Sequence, residues 1–299
     1  MGAARFLRGL CSLLDPTQLT IIGNTADDDT FFGLHVSPDL DTVTYTLAGR
    51  VGVHGWGLAD ERFTALEALG RYYPDTWFQL GDRDLGLHLV RTDALRRGEP
   101  LSAVTERITR AVGLQLALLP ATDDPLRTRI RTPAGEFEFQ EWFVARGHAD
   151  RVDQVLYDGA ADATPAPRVL EALEAAELIA IAPSNPFVSI GPILAVDEIR
   201  ALVERRRERV VAVSPLIGGR AVKGPADAMF QSLAGGTGAA QVTDCYKGLI
   251  GALVIDGADA DDAAAVAERG VRPLVTRTLM SEPDARAELV ETVLGLVPA

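Results

Sequence analysis

Cysteine is scarce in this chain of 299 residues: only Cys11 and Cys245 occur, far apart and outside any CxxC pattern. That excludes a cysteine-based zinc site and fits a reducing, cytoplasmic setting. Long apolar runs are also missing, none approaching the roughly eighteen to twenty residues that span a bilayer. The N-terminal stretch Met1-Gly-Ala-Ala-Arg-Phe-Leu-Arg carries a little positive charge but no long apolar core and no small-residue cleavage site. It is therefore not read as a signal peptide. The four histidines (His35, His54, His88 and His148) show no metal-ligand spacing. No Gly-x-Ser-x-Gly or Cys/His pairing supports a covalent nucleophile. Positive charge is outweighed, with a net charge of −13. An acidic surface does not wrap nucleic acid, whose phosphates need cationic partners. A nucleotide or phosphate substrate would need only a local cationic or metal-bearing pocket.

With 47% apolar and 24% charged residues, the chain has the make-up of an ordinary globular protein with a sizeable core. Four short runs rich in β-branched residues end abruptly in polar, Gly or Pro punctuation. They are Leu19-Thr-Ile-Ile-Gly, Leu178-Ile-Ala-Ile-Ala, Val210-Val-Ala-Val-Ser and Leu249-Ile-Gly-Ala-Leu-Val-Ile. Such runs read as strands buried on both faces of a parallel sheet. Helical stretches alternate with them over 167–177, 197–209 and 259–269, which predicts a doubly wound, mainly parallel α/β fold of the Rossmann type. Ligands of such folds sit beyond the carboxyl ends of the strands.

The rhythm breaks between residues 51 and 163. Helical segments are expected over 59–72 and 101–112. Thr128-Arg-Ile-Arg-Thr and Glu136-Phe-Glu-Phe-Gln-Glu-Trp-Phe, joined by a Pro-Ala-Gly turn, read as a hairpin. We expect residues 1–50 and 164–299 to form the core, and 51–163 to form an inserted α/β subdomain covering one side of it. The stretch 157–167 reads as the linker back. Gly2 to Leu10 reads as the start of a helix with no strand before it.

Several segments could carry chemistry. The first strand runs into Gly23-Asn-Thr-Ala-Asp-Asp-Asp-Thr, placing Asp27, Asp28 and Asp29 in a row. Clustered carboxylates repel and raise one another's pKa, and a hard divalent cation offsets that repulsion. A solvated turn is the plainer alternative. In Ser37-Pro-Asp-Leu-Asp-Thr, Ser37 suits a helix N-cap, Pro38 the first helical position and Asp39 the first turn. Asp41 is less easily explained by capping and could accept hydrogen bonds from a polar ligand. Gly81-Asp-Arg-Asp sets Arg83 between Asp82 and Asp84, either as a surface ion-pair turn or as a held guanidinium for a phosphate or planar ring. Pro183-Ser-Asn-Pro-Phe-Val-Ser-Ile-Gly-Pro and Ser214-Pro-Leu-Ile-Gly-Gly-Arg-Ala-Val-Lys-Gly-Pro follow consecutive strands, which favours a phosphate or nucleotide pocket at that edge. Gly235-Gly-Thr-Gly-Ala-Ala is a weak phosphate-loop pattern without a clear preceding strand.

In their order along the chain these segments resemble the 2-phospho-L-lactate transferase family, the FO transferases of coenzyme F420 biosynthesis. Leu119-Pro-Ala-Thr-Asp-Asp, Phe139-Gln-Glu-Trp-Phe and Lys223-Gly-Pro-Ala add to the likeness. The resemblance implies attack by the terminal ribityl hydroxyl of the deazaflavin FO on a guanosine diphosphate-linked three-carbon acid, with release of GMP. It implies Mg2+ held by Asp27 and Asp28, with Arg83 beside them in the catalytic set. Asp41, Thr42, Asp82 and Arg83 correspond to the FO side, and Gly2, Ser184, Asn185 and Lys223 to the donor nucleotide and its phosphates. A homodimer is also implied. Family members open with a β-strand and two glycines before the position that Met1 occupies here. The resemblance therefore implies a start codon further upstream, with an internal valine codon read as the start. The alternative within the fold is a related nucleotide-sugar-binding regulator of envelope growth, a binding module and not an enzyme. Its Gly-Gly-Ser-Ser-Gly loop after Ala-Asp-Asp is replaced here by Asp29-Thr-Phe-Phe-Gly.

Overall fold

The computed structural model describes residues 2–53 and 55–297. Met1 and His54 lie outside them, and so does the position on which the expectation about the start codon turns.

Four strands form one parallel sheet in the spatial order Arg272–Thr276, Ala252–Asp256, Val210–Val213, Ile179–Ile181. The side-chain alternation of a strand divides its residues between two separate cores. Val211, Val213, Ala252 and Val254 pack with Phe6, Leu10, Leu289, Val290 and Val293 on one face. Val210, Ala212, Leu253 and Ile255 pack with Ile199, Leu202, Phe230, Val242 and Val266 on the other. Helices Gly2–Leu13 and Pro283–Leu294 cover the first face. Helices Val169–Ala175, Asp197–Arg205, Ala226–Leu233, Ala239–Cys245 and Ala263–Glu268 serve the second. This is a mixed α/β fold with parallel sheets, as the apolar runs predict.

The first apolar run, Thr20–Gly23, belongs to a second, two-stranded sheet, where it pairs in parallel with Ala117–Pro120. A single mainly parallel sheet was expected; the described residues form two. Two of the parallel strands escape the sequence pattern because each contains a proline or few branched residues: Ala117-Leu-Leu-Pro and Arg272-Pro-Leu-Val-Thr. Proline is tolerated in the latter because that strand lies at the sheet edge.

Between the sheets' segments, Arg127–Thr132 pairs with Gly135–Glu138 through the expected turn, and also with Gln154–Asp158 on its other side. The stretch expected as a linker thus begins inside a strand. The second arm of the hairpin is shorter than predicted. After Glu138 the backbone bends into a π-helical turn, Glu141–Ala145, with Trp142 buried and its indole N–H donating to Asp150 O at 3.2 Å. The helix expected over 59–72 contracts to Thr64–Leu69. Asp60 has a positive φ of 54°, which breaks the helix upstream. The first helical N–H groups, of Thr64 and Ala65, donate instead to the carboxylate of Asp82 at 3.2 and 2.9 Å. Leu101–Ala111 forms the other predicted helix. The Gly235–Gly238 run joins two helices and is closed by a hydrogen bond from Gly238 N–H to Gln241 Oε1 (3.0 Å), so it is a helix start and not a strand-to-helix phosphate loop.

Candidate active site

At the carboxyl end of Thr20–Gly23 the chain turns sharply. Asn24 Oδ1 accepts from Ala26 N–H at 2.9 Å, and Asp28 N–H donates to Thr25 O at 3.2 Å. The turn is pinned from the subdomain side: Thr128 N–H donates to Ala26 O (2.8 Å) and Gln140 Nε2 to Asp27 O (3.0 Å). The bend after Glu138 is what lets Gln140 reach across. These four bonds pull the acidic residues inward. Asp27 is 6% exposed and Asp28 3%, which rules out the solvated-turn reading. Asp29 differs, since it opens the hairpin strand Asp29–Phe31 and accepts from Thr30 N–H.

The antiparallel partner of that strand, Leu34–Val36, leads into helix Pro38–Leu47. Ser37 occupies the N-cap position, as expected, but makes no capping hydrogen bond. Its hydroxyl donates to Asp28 Oδ2 at 2.6 Å. His35 Nε2 lies 2.9 Å from the same oxygen. A buried carboxylate without donors costs several kcal/mol, so the hydroxyl is worth more on Asp28 than on a helix end open to other partners. Asp28 Oδ1 and Asp27 Oδ1 are buried and make no hydrogen bond.

Asp39, in the first turn of the helix, joins this pair. Its Oδ2 accepts from Asn24 Nδ2 at 2.9 Å. Burial, then the negative charge of Asp39, drives the Asp27 carboxyl well above the ordinary carboxylate range. Burial also raises Asp39. Helix-start logic alone had made Asp39 structural; its field on Asp27 could be seen only once the chain was folded. Two orphaned carboxylate oxygens among like charges fit a hard divalent cation of the Mg2+ kind, which needs only one or two carboxylates besides phosphate oxygens. Among the described residues no group of three or more His, Cys, Asp or Glu side chains is arranged to hold a metal by itself.

Behind Asp28 lies a second buried polar group. Arg91, on helix Asp84–Arg96, forms a two-pronged pair with Asp41: Nη1 donates to Oδ2 at 3.1 Å and Nη2 to Oδ1. Asp41 therefore is not an exposed acceptor. His88 Nδ1 stands 3.8 Å from Asp41 Oδ2. Burial brings its pKa down to about 4. Burial raises Asp84 to about 6, and burial with the charge of Asp41 raises the Tyr45 hydroxyl. Arg83 precedes this helix on the surface, its N–H donating to Glu61 Oε1 (2.7 Å) and its guanidinium to Ala59 O (3.0 Å). Asp82 is taken up by capping Thr64 and Ala65. Thr42 is half-buried on helix Pro38–Leu47.

The donor-side residues partly converge on the same corner. Asn24 Nδ2 also donates to Val188 O at 3.3 Å, tying the acidic turn to the segment after Ile179–Ile181. Within that segment Asn185 Oδ1 caps its own turn by accepting from Phe187 N–H (2.9 Å), and its Nδ2 points to Met229 Sδ. Ser184 is half-buried beside it. Gly2 starts its helix against Pro183: a Cβ at Gly2 would stand 2.3 Å from Pro183 O, so only glycine permits this approach. Lys223 is exposed, between the short strand Arg220–Ala221 and helix Ala226–Leu233.

Comparison with known proteins gives the family. The model of the family described as 2-phospho-L-lactate transferase CofD matches residues 1–286. The phosphoenolpyruvate transferase of Thermobifida fusca is 41% identical over 312 residues, covering 99% of this chain and 95% of that protein. The 2-phospho-L-lactate transferase of Methanosarcina acetivorans is 34% identical over 296 residues, covering 99% and 96%. Among solved structures, a Bacillus halodurans protein of the UPF0052 family superposes with a TM-score of 0.63 at 17% identity, covering 98% of this chain and 96% of that one. At that identity the likeness is one of fold alone. The chain belongs to the 2-phospho-L-lactate transferase CofD family.

Proposed function

We propose that this chain transfers a phosphoenolpyruvyl- or phospholactyl-type group from a guanosine diphosphate-linked three-carbon acid to the deazaflavin FO, in coenzyme F420 biosynthesis. Family membership makes it a transferase of the phosphoenolpyruvate/2-phospho-L-lactate type. The ribityl hydroxyl oxygen of FO bonds to the phosphorus next to the three-carbon acid. The bond from that phosphorus to the bridging oxygen breaks, GMP departs, and the hydroxyl proton is released. Such an in-line displacement depends on positioning and on neutralising phosphate charge.

The observation that carries this reading is the pair of buried, unpaired oxygens Asp27 Oδ1 and Asp28 Oδ1 at a strand's carboxyl end. They are the residues assigned to Mg2+, which when bound would neutralise charge on the transferring phosphate. Asn24 ties the acidic turn to Val188, three residues beyond Asn185, so a diphosphate bound between Gly2, Ser184 and Asn185 would lie on the side of the carboxylate pair. Lys223 is assigned to the outer phosphates. On the acceptor side, Arg83 and Thr42 are assigned to FO. Asp41 and Asp82 act there through what they hold in place, Arg91 and the start of helix Thr64–Leu69. The parallel strands with a core on each face support a Rossmann-like doubly wound arrangement of residues 1–50 and 164–299, with 51–163 as a subdomain that also lends the strand Ala117–Pro120 to Thr20–Gly23. A cytoplasmic homodimer completes the reading; no helix among the described residues is long and apolar enough to cross a membrane. Incubation with FO and each guanylylated acid tests it, with product mass and GMP release as readouts.

A further inference from the structure

We propose that His35 is a positioning residue that fixes Asp28 in the orientation from which its Oδ1 can bind a divalent cation; this rests on the metal reading above. Two donors from different elements meet on Asp28 Oδ2. The Ser37 hydroxyl arrives from the helix cap at 2.6 Å and His35 Nε2 from the hairpin strand at 2.9 Å. A carboxylate held by one donor can still swing about its Cβ–Cγ bond. Two donors on one oxygen leave the other oxygen a single direction, and that second oxygen, Asp28 Oδ1, is buried without a hydrogen bond.

His35 is itself anchored. Its N–H donates to Thr92 Oγ1 at 2.8 Å, fastening the hairpin strand to helix Asp84–Arg96, and it pairs with Thr30 across the hairpin. The hairpin turn, with Phe32 and Gly33 at φ of 52° and 79°, has the two left-handed residues of a tight type I′ connection. The imidazole is thereby delivered to Asp28 by a rigid ribbon. Partners of this outer kind orient ligating groups, and their loss typically weakens metal binding by about 10- to 100-fold.

The test uses Mn2+ as the probe, which takes the same oxygen donors as Mg2+, titrated against the full chain in the presence of GDP. Free Mn2+ is read by electron paramagnetic resonance, so no turnover is needed. His35→Phe keeps a ring but removes the donor, and should weaken Mn2+ binding by about tenfold. His35→Gln places an amide nitrogen near the position of Nε2 and should restore wild-type binding. His35→Asn, whose amide stops short, should behave like the phenylalanine variant and carries the comparison if His35→Phe does not fold. Unchanged binding in His35→Phe or His35→Asn, or equal loss in His35→Gln, would overturn the proposal. If wild-type protein with GDP binds no Mn2+, the metal reading fails and this one with it. If Asp28→Asn loses Mn2+ while the donor-less His35 variants keep it, only the positioning role fails.

Discussion

Arg91 and Asp41 face each other across fifty residues of sequence as a buried, two-pronged ion pair, with Arg91 1% exposed and Asp41 5%. Each charge is tolerable only because the other is present. The pair locks helix Pro38–Leu47, which carries Asp39, to helix Asp84–Arg96, which follows Arg83 and anchors His35 through Thr92. One contact thus joins the helix that follows Arg83 to the helix that carries Asp39.

Arg91→Met leaves Asp41 buried without its partner and should cost about 3–5 kcal/mol in urea unfolding. Adding Asp41→Asn to that variant removes the stranded charge and should recover part of the loss. A cost for Arg91→Met as small as that of a surface pair, under about 1 kcal/mol, would contradict the pairing.

Asp84 gives a pH signature. Its folded pKa of about 6 lies above the ordinary value of 3.8, so the folded protein holds the extra proton between those values. The contribution to stability is therefore full below pH 3.8 and is lost as pH rises through about 6. Asp84→Asn removes the buried charge and should stabilise the protein at pH 8 by on the order of 2 kcal/mol, with the gain shrinking toward pH 4. His88 works in the opposite sense. Its folded pKa of about 4 lies below the ordinary 6.5, so stability present above pH 6.5 is lost as pH falls toward 4. Urea midpoints of the wild type and Asp84→Asn across pH 4 to 8 check both signs.

Asp27→Asn and Asp28→Asn should each abolish metal-dependent turnover while leaving the far-ultraviolet circular dichroism of the fold unchanged. Because burial and Asp39 hold the Asp27 carboxyl well above its ordinary range, its charged form carries a penalty that a free carboxylate does not. Asp27→Asn should accordingly melt at a higher temperature than the wild type in metal-free buffer. Full activity in either variant would remove that residue from the metal set.

Arg83→Ala should raise KM for FO more than KM for the guanylylated donor if Arg83, which lies at the surface beside Ala59 and Glu61, takes the FO contact proposed for it. Equal increases in the two constants would count against that placement.

Much of the fold is legible in the sequence because buried parallel strands announce themselves as short, branched, sharply ended runs. Ile179–Ile181 and Val210–Val213 fall inside predicted runs, and Ala252–Asp256 overlaps its run as far as Ile255. Arg272–Thr276 hides because an edge strand accepts a proline. The acidic turn is visible as three successive aspartates, but its burial is not. That depends on Thr128 and Gln140, about one hundred residues downstream, pulling Ala26 and Asp27 inward. Capping rules place Ser37 correctly and misdirect its hydroxyl, because a local pattern takes no account of a carboxylate nine residues earlier. Nothing in spacing links His35 to Asp28 or Arg91 to Asp41; both pairings exist only after the hairpin and two helices have packed.

The most direct measurement of the central claim is mass analysis of the protein incubated with FO, Mg2+ and each guanylylated three-carbon acid in turn. The account predicts one new product whose mass is that of FO plus the phosphorylated acid less water, an equal amount of GMP, and loss of both on adding a chelator. Intact FO with no GMP released from any of the donors would contradict it.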